Sequence, residues 1–313
     1  MTLGDPVRPL IWVSKSMDKL ADALTAMGHP ISADTVKKEL VKLGFSRQVN
    51  SKANEGSRHP DRNAQFEHIN AKVLAAQALG QPVISVDTKK KEPIGNYKNG
   101  GSDYRPKGDP VRVKVHDFVD EELGKVVHYG VYDVTANAGF VSVGITSDTA
   151  EFAVQSIRTW LDRMGRERYP EAGELTITAD CGGSVMSKTC FARGGSRVRL
   201  WKTELQRLAD ETRLALNVHH YPPGTSKWNR IEHRLFCHIT QNWRGRPLAS
   251  RLAVVELIGA TTTKTGLKVE CALDERTYEK GKKISDAEMA ALDITGDAFH
   301  PEWNYTIRPR QFG

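Results

Sequence analysis

The chain contains no run of about eighteen apolar residues, the length a membrane-crossing helix needs, so no membrane association is expected. Its first residues do not have the basic-then-apolar pattern of a secretory leader, because Asp5, Pro6 and Arg8 interrupt it. Cysteine is scarce. The 313 residues hold four, Cys181, Cys190, Cys237 and Cys271, with no C-x-x-C pair among them, which makes free thiols in a reducing cytoplasm the simplest reading. A zinc site built from Cys181, Cys190, Cys237 and His238 would have ligand spacings that match no structural zinc pattern. Internal repeats and low-complexity tracts are also missing. What remains is a soluble globular composition, 39% hydrophobic and 27% charged. The length suits one large domain and a small one. The net charge of +7 is compatible with a polyanionic partner and is weak evidence alone.

The stretch that organises the chain runs from Lys227 to Ile239 and reads as a helix. Trp228, Ile231, Leu235, Phe236 and Ile239 fall on one arc of about 140° at the α-helical repeat, with Ser226 as the expected N-cap. Glu232 falls inside that apolar arc. A carboxylate there is expensive unless something pairs with it. Two other stretches offer partners. Val83-Ile84-Ser85-Val86-Asp87 and Leu175-Thr176-Ile177-Thr178-Ala179-Asp180 both read as buried strands ending in an aspartate, and the C-terminal ends of strands are where open sheets carry their sites. Three carboxylates in one place repel each other unless cations lie between them, and hard divalent ions such as Mg²⁺ meet that need.

Along the chain, helices are expected near residues 16–27, with Leu20, Ala23, Leu24 and Met27 on one face, and 32–43, with Val36, Leu40 and Leu43. Ser32 or Asp34 would cap the second. Two short helices joined by a turn resemble a DNA-binding helix-turn-helix, with Lys37, Lys38 and Lys42 placed to meet phosphates. A packed αα-hairpin without DNA contact is the plain alternative. Residues 47–63 read as a linker. A helix bearing Phe66, Ile69, Val73 and Leu74 precedes the Asp87 strand. Lys89, Lys90 and Lys91 follow it, either steering DNA or lining a solvated turn. Strands are expected at 111–118, through alternating Val111, Val113 and Val115, and at 126–134. Then come a helix at 148–164, the Asp180 strand, the Cys181-Gly182-Gly183-Ser184 loop, a helix at 198–213, a strand at 214–219 and a Pro-rich loop. Residues 252–262 look helical, and 269–310 look irregular apart from a short helix near 286–292. The order gives an α/β fold with a mixed sheet.

Asp133 rivals Asp87 for the first position, and Glu92 is a candidate for supporting the site from outside. His219 and His220, just before the Pro-rich loop, could orient a phosphate or simply pack. Arg230 and Arg234 could touch phosphates or face solvent.

Taken together these residues resemble the RNase H-like catalytic domain of DDE transposases. Tyr221-Pro222-Pro223-Gly224 followed by Asn229-Arg230-Ile231-Glu232 is similar to the mariner-like superfamily. Val86-Asp87-Thr88-Lys89-Lys90-Lys91-Glu92, Thr178-Ala179-Asp180-Cys181-Gly182-Gly183-Ser184 and the Asn229 stretch resemble, more narrowly, the Rhodopirellula-type insertion-sequence group. The likeness spans about residues 60–310. It implies an RNase H-like mixed sheet flanked by helices over residues 59–313, with a C-terminal extension, preceded by a small helix-turn-helix-like DNA-binding region and linker over 1–58. The implied catalytic and metal-holding triad is Asp87, Asp180 and Glu232. The last two stand farther apart than in most mariner-like enzymes, which fits extra length around residues 190–199. The resemblance further implies two Mg²⁺ or Mn²⁺ ions, cleavage and strand transfer of an insertion sequence, double-stranded DNA as transposon ends and target, a homo-oligomer on DNA, and a bacterial cytoplasmic, nucleoid-associated location. The family's N-terminal region usually holds more DNA-binding material, so a shortened copy is part of the expectation. Two rivals stand beside this reading: a catalytically silent DNA-binding protein, and an RNase H-like structure-specific nuclease that cuts without joining.

Overall fold

The computed structural model describes residues 2–4, 11–13, 16–48, 59–116, 118–120, 122–180 and 196–311. The Cys181–Ser184 loop, Cys190 and most of the linker lie outside these residues, and so does the zinc set that would need the two cysteines. The chain divides into two compact units, Met1–Glu55 and Gly56–Gly313.

The first unit pairs β1 (Thr2–Gly4) antiparallel with β2 (Ile11–Val13) and adds α1 (Met17–Ala26) and α2 (Ala33–Lys42). Each helix begins at a serine. Ser16 accepts from the Lys19 backbone N–H and Ser32 from that of Thr35, which satisfies donors that a helix start leaves open. Ser32, not Asp34, is therefore the cap. Past the ends of the two helices, Gly28 and Gly44 take φ of 90° and 83°, the left-handed position that closes a helix C-terminus. Ala21 and Val36 are buried, while Met27 and Leu43 are exposed. Helices this short cover the middle of their apolar stripes and leave the ends bare.

The second unit holds α3 (Arg62–Ala78), β3 (Val83–Pro93), β4 (Lys125–Asp133), β5 (Ala138–Gly144), α4 (Ala150–Trp160), α5 (Arg166–Arg168), β6 (Glu174–Asp180), α6 (Ser196–Thr212), β7 (Ala215–Tyr221), α7 (Cys237–Asn242), α8 (Arg251–Gly259), β8 (Lys268–Asp274), α9 (Asp286–Ala290), β9 (Ile294–Gly296) and β10 (Asn304–Ile307). The strands form one mixed sheet in the order β8-β5-β4-β3-β6-β7-β10-β9. Strands β3, β4 and β5 are an antiparallel meander, and β6 and then β7 join β3 in parallel through helical crossovers. This is the RNase H-like mixed sheet flanked by helices.

Strand alternation sorts the core into two layers. Ile84, Val86, Val127, Tyr129, Val131, Ile177 and Ala179 meet Phe152, Ile157 and Trp160 of α4 and Leu205 and Leu208 of α6 on one face. On the other face Val126, Tyr132, Val141 and Val143 meet Ile231, Leu235, Phe236 and Ile239, and Val83 meets Ile69 and Val73 of α3. Asp87 and Asp180 alternate onto this second face.

Three sequence expectations need correction. Residues 111–116 are irregular, and Val115 is exposed; alternation alone does not make a strand where no neighbour receives it. The third meander strand is instead β5, whose Ala138, Gly139, Ser142 and Gly144 dilute the usual strand signal. A Cβ on Gly139 would lie 2.6 Å from Leu235, and one on Gly144 2.8 Å from Phe152, so packing selected those small residues. Residues 269–310 contribute three strands, β8 and β9 at the sheet's edges, where charged residues are ordinary.

Candidate active site

The last parallel pair between β3 and β6 is Val86 with Ala179. Asp87 and Asp180 are the next residue on each strand, side by side on the same face. Strand β3 continues past Asp87 to Pro93, with a bulge between Lys89 and Glu92. The aspartate therefore ends the parallel ladder and not, as expected, the strand.

Glu232 reaches this place by a route the helical reading missed. The expected helix is broken into a 3₁₀ turn at Ser226–Trp228, an extended Asn229, a π-helical turn at Glu232–Phe236, and α7. Ser226 is not an N-cap, and Trp228 is 52% exposed instead of buried. Ile231, Leu235, Phe236 and Ile239 are buried as expected. The break follows from Asn229, whose fully buried carboxamide is bonded on both ends. Its Nδ2 donates to the Val86 carbonyl at 3.0 Å, and its Oδ1 accepts from Ser85 Oγ. Ser85 Oγ in turn accepts from the Ile231 N–H at 3.1 Å. The Asn229 carboxamide also lies beside Asp180, close enough to lower its carboxyl. One asparagine thus ties the turn that carries Glu232 to the strand that carries Asp87 and sets it beside Asp180.

Glycine allows the approach. Gly130 of β4 stands opposite Asp87. A Cβ there would lie 2.5 Å from the Phe236 ring and 2.8 Å from Ile231, so any side chain would push the Glu232 turn off the sheet. A π-turn adds a residue to the helical repeat, a feature frequent at functional sites. Here it opens at Glu232.

The electrostatics follow from this crowding. Burial and the neighbouring Asp180 charge push the Asp87 carboxyl up to about 8, with Glu232 and Asp148 adding to the rise. Asp180 is pushed up to about 6 by burial and by Glu232, against the opposing influence of the neighbouring Asn229 carboxamide. Burial raises Glu232 as well, opposed by Lys89 and His233. Three half-buried carboxylates that each hold protons too tightly form an unfinished arrangement. Asp180 Oδ1 is buried and has no hydrogen-bond partner among the described residues. An orphaned anionic oxygen beside two further carboxylates fits a hard divalent cation. Asp148, whose Oδ1 accepts from Thr88 Oγ1 at 3.2 Å, is a further carboxylate at this site. Its position ahead of a capped helix gave no sign of that in the sequence.

The other candidates separate clearly. Lys89 does not face solvent. It is 9% exposed, its Nζ lies 4.6 Å from the Trp243 ring centre and 3.5 Å from Glu92, and Glu232 is within its electrostatic reach. The bulge that follows it turns Lys90 and Lys91 outward, and these are exposed. Arg234 is exposed, and Arg230 is half-buried with Nη2 donating to Asn70 of α3 at 3.2 Å. Lys37, Lys38 and Lys42 are exposed on α2, Lys42 in an ion pair with Glu39 at 2.7 Å. His219 packs against Asn304. His220 Nδ1 lies 3.2 Å from the Asp180 carbonyl, and since a carbonyl only accepts, that nitrogen carries the proton. Its Nε2 then accepts from Tyr305 Oη at 3.1 Å. His220 thus holds the Asp180 backbone from the opposite face. Asp133 is engaged elsewhere, by Tyr169 Oη at 2.9 Å and the Thr135 and Ala136 backbone N–H groups.

A carboxylate cluster on the central strands of an RNase H-like sheet defines a class of phosphoryl-transfer domain. Residues 1–309 match the Rhodopirellula transposase DDE domain, and the chain belongs to that family. Among solved structures, it is similar to the Mos1 transposase paired-end complex with left transposon end at 13% identity and TM-score 0.42, covering 78% of this chain and 65% of that one. It is also similar to the mariner Mos1 paired end complex with Mg, at 14% identity and TM-score 0.41 over 78% and 65% of the two chains. The Mn complex gives 14% identity and TM-score 0.40 over the same shares. The chain spans about 65% of the length of these transposases. Comparison with curated protein sequences finds no match. No helix among the described residues is long and apolar enough to cross a membrane.

Proposed function

We propose that this protein is a DNA transposase whose residues 59–313 cut and join the ends of an insertion sequence, with Asp87, Asp180 and Glu232 as its catalytic carboxylates. The observation that carries this reading is that the three carboxylates share one face at the end of the β3–β6 parallel ladder, close enough that Asp180 and Glu232 join burial in pushing Asp87 up to about 8, although their oxygens are not all within 4.8 Å of one another. Family membership supports the substrate class.

In this reading Asp87, Asp180 and Glu232 would together hold two divalent ions, Mg²⁺ or Mn²⁺. The bound ions would neutralise the attacking and leaving oxygens of an in-line displacement at phosphorus. The protein's own part is positioning. Asn229 and Ser85 fix the Glu232 turn against the Asp87 strand, and His220 fixes the Asp180 backbone. Hydrolysis at a transposon end frees a 3′-hydroxyl, and attack of that hydroxyl on target DNA exchanges one phosphodiester for another. Lys90, Lys91, Arg230 and Arg234 would meet phosphates around the site, and residues 1–58, through Lys37, Lys38 and Lys42, would bind double-stranded DNA. A homo-oligomer would hold two ends together.

The test is nicking of supercoiled DNA by the purified chain beside Asp180→Asn, followed by an assay for joined products. Nicking that requires Mg²⁺ or Mn²⁺ and vanishes in Asp180→Asn supports the carboxylate site, and joined products support transposition. Cutting without joining would leave a nuclease. DNA binding with no cutting would leave a silent DNA-binding protein.

A further inference from the structure

A second group of ligand-type side chains lies in the same unit, apart from the carboxylate triad. His59 and Asp61 directly precede α3, and His300 lies in the loop before β10. One ligand atom from each falls within 4.8 Å of the others. His300 Nε2 is 3.1 Å from Asp61 Oδ2, and His59 Nδ1 is 3.9 Å from the same oxygen. Four-coordinate zinc, with bonds of about 2.0–2.1 Å, sets its ligands about 3.3–3.4 Å apart, so side-chain shifts in which His59 Nδ1 gives up the Asp61 N–H it accepts at 3.2 Å would close the three around one ion.

Three further observations point the same way. The free ring nitrogen of His300, Nδ1, lies 2.6 Å from Glu302 Oε1. A carboxylate behind a histidine in this way is the usual support of a metal-binding imidazole, fixing its tautomer and orientation. The rings are also held in place: His300 stacks on Trp303 at 4.3 Å, and His59 meets the same ring edge-on at 4.8 Å. Trp303 itself is buried. Finally, His300 adopts a φ of 48°. Histidine is among the few non-glycine residues that enter left-handed backbone, and here the stacked Trp303 and the Glu302 contact hold it there.

We propose that His59, Asp61 and His300 form a zinc site, with Glu302 orienting His300 and water completing the coordination. Two imidazoles and one carboxylate favour zinc over Mg²⁺ or Ca²⁺, which prefer oxygen ligands throughout. The site fastens the start of α3 to the C-terminal segment. These segments are already joined beneath it by the buried Gln65–Asn304 amide pair, bonded in both directions at 2.9 Å. Gln65 also donates to the His220 carbonyl at 2.9 Å, so the zinc closes over a joint that leads to the Asp180 strand through β7.

The test uses the full chain carrying Asp87→Asn and Asp180→Asn, so that the carboxylate triad does not compete for metal. After loading with Zn²⁺ and dialysis, metal content is measured by mass spectrometry, and the site is reloaded with Co²⁺ for absorption spectroscopy. One zinc per chain is expected, falling below about one tenth in His59→Gln and in His300→Gln with unchanged circular dichroism. Glu302→Gln is expected to raise the zinc Kd by about 10–100-fold. The Co²⁺ form should show tetrahedral d–d bands without sulfur charge transfer, a readout that stands even if a histidine variant fails to fold. Absence of bound zinc in the parent would overturn the proposal. So would full zinc retained after both histidine changes, or a sulfur band placing the metal on cysteine.

Discussion

Asp87 and Asp133 sit on neighbouring central strands, both in buried surroundings, and burial raises both carboxyls. Their environments then diverge. Asp133 receives Tyr169 Oη and the backbone N–H groups of Thr135 and Ala136, and these donors oppose the rise without cancelling it. Asp87 receives the Thr88 N–H at 2.7 Å and otherwise meets Asp180, Glu232 and Asp148. One aspartate is a finished turn, and the other is half of an unfinished site. A buried carboxylate with its donors supplied is structure, and one surrounded by other carboxylates awaits a cation.

Exchanging the two aspartates for asparagine gives the widest contrast. Asp87→Asn should cut nicking by about three orders of magnitude or more, while DNA retention in a gel-shift assay stays within a few-fold. Asp133→Asn should do the reverse. Its carboxamide N–H₂ would face donors, costing about 1–3 kcal/mol in chemical denaturation, while activity per folded molecule is kept. Loss of activity in Asp133→Asn at full folding would return that residue to the site.

The next effect in size tests how the site is held. Asn229→Ala removes the link between the Glu232 turn and the Asp87 strand and leaves Ser85 Oγ without its acceptor. A drop of about 10–100-fold in nicking is expected, the range for removing a support from a metal ligand. Gly130→Ala probes the same contact sterically. The new methyl meets the Phe236 ring and Ile231, so both stability and nicking should fall, by about 1–3 kcal/mol for the first. Gly139→Ala presses on Leu235 instead and should cost stability with less loss of nicking. Equal losses of activity at the two glycines would mean that the Glu232 turn tolerates displacement.

These two contacts also mark where the sequence was readable and where it was not. The strands ending at Ala179–Asp180 and carrying Val86–Asp87 were legible because a continuous apolar run before a carboxylate is a local pattern. Glu232 was legible as a carboxylate among apolar neighbours. The geometry that brings it to the aspartates was not, because it depends on Asn229 and Ser85 meeting across well over a hundred residues and on a glycine opposite Asp87. Lys89 was misread for a related reason. A lysine in a basic run looks solvated until strand alternation places it on the Asp87 face against Trp243. Strand β5 was missed because Gly139 answers to Leu235, a residue far along the chain. Local pattern carries burial and charge; it does not carry the partner that selects a small side chain.

The smallest expected effect is a pH dependence in chelator, where no divalent ion offsets the carboxylates. Asp87 titrates near 8 in the fold and near its ordinary value of about 3.9 unfolded. A carboxyl raised in this way lends stability that is full below the unfolded pKa and is lost as pH rises through the folded one. His219 and His220 act in the opposite sense. Burial lowers both to about 4, so their contribution is full above the unfolded histidine value, about 6.5, and is lost as pH falls toward 4. The two trends oppose each other below about pH 6.5. Between about 6.5 and 8 the histidines are silent and Asp87 still titrates, so chelated protein should lose about 1 kcal/mol or more there. Adding Mg²⁺ or Mn²⁺ should abolish the loss, and Asp87→Asn should flatten it without metal. Asp133→Asn should leave the response to metal intact, because nothing anionic crowds that carboxyl. A chelated wild type with a flat profile across this window would mean that donors outside the described residues already satisfy Asp87, and the contrast between the two aspartates would collapse.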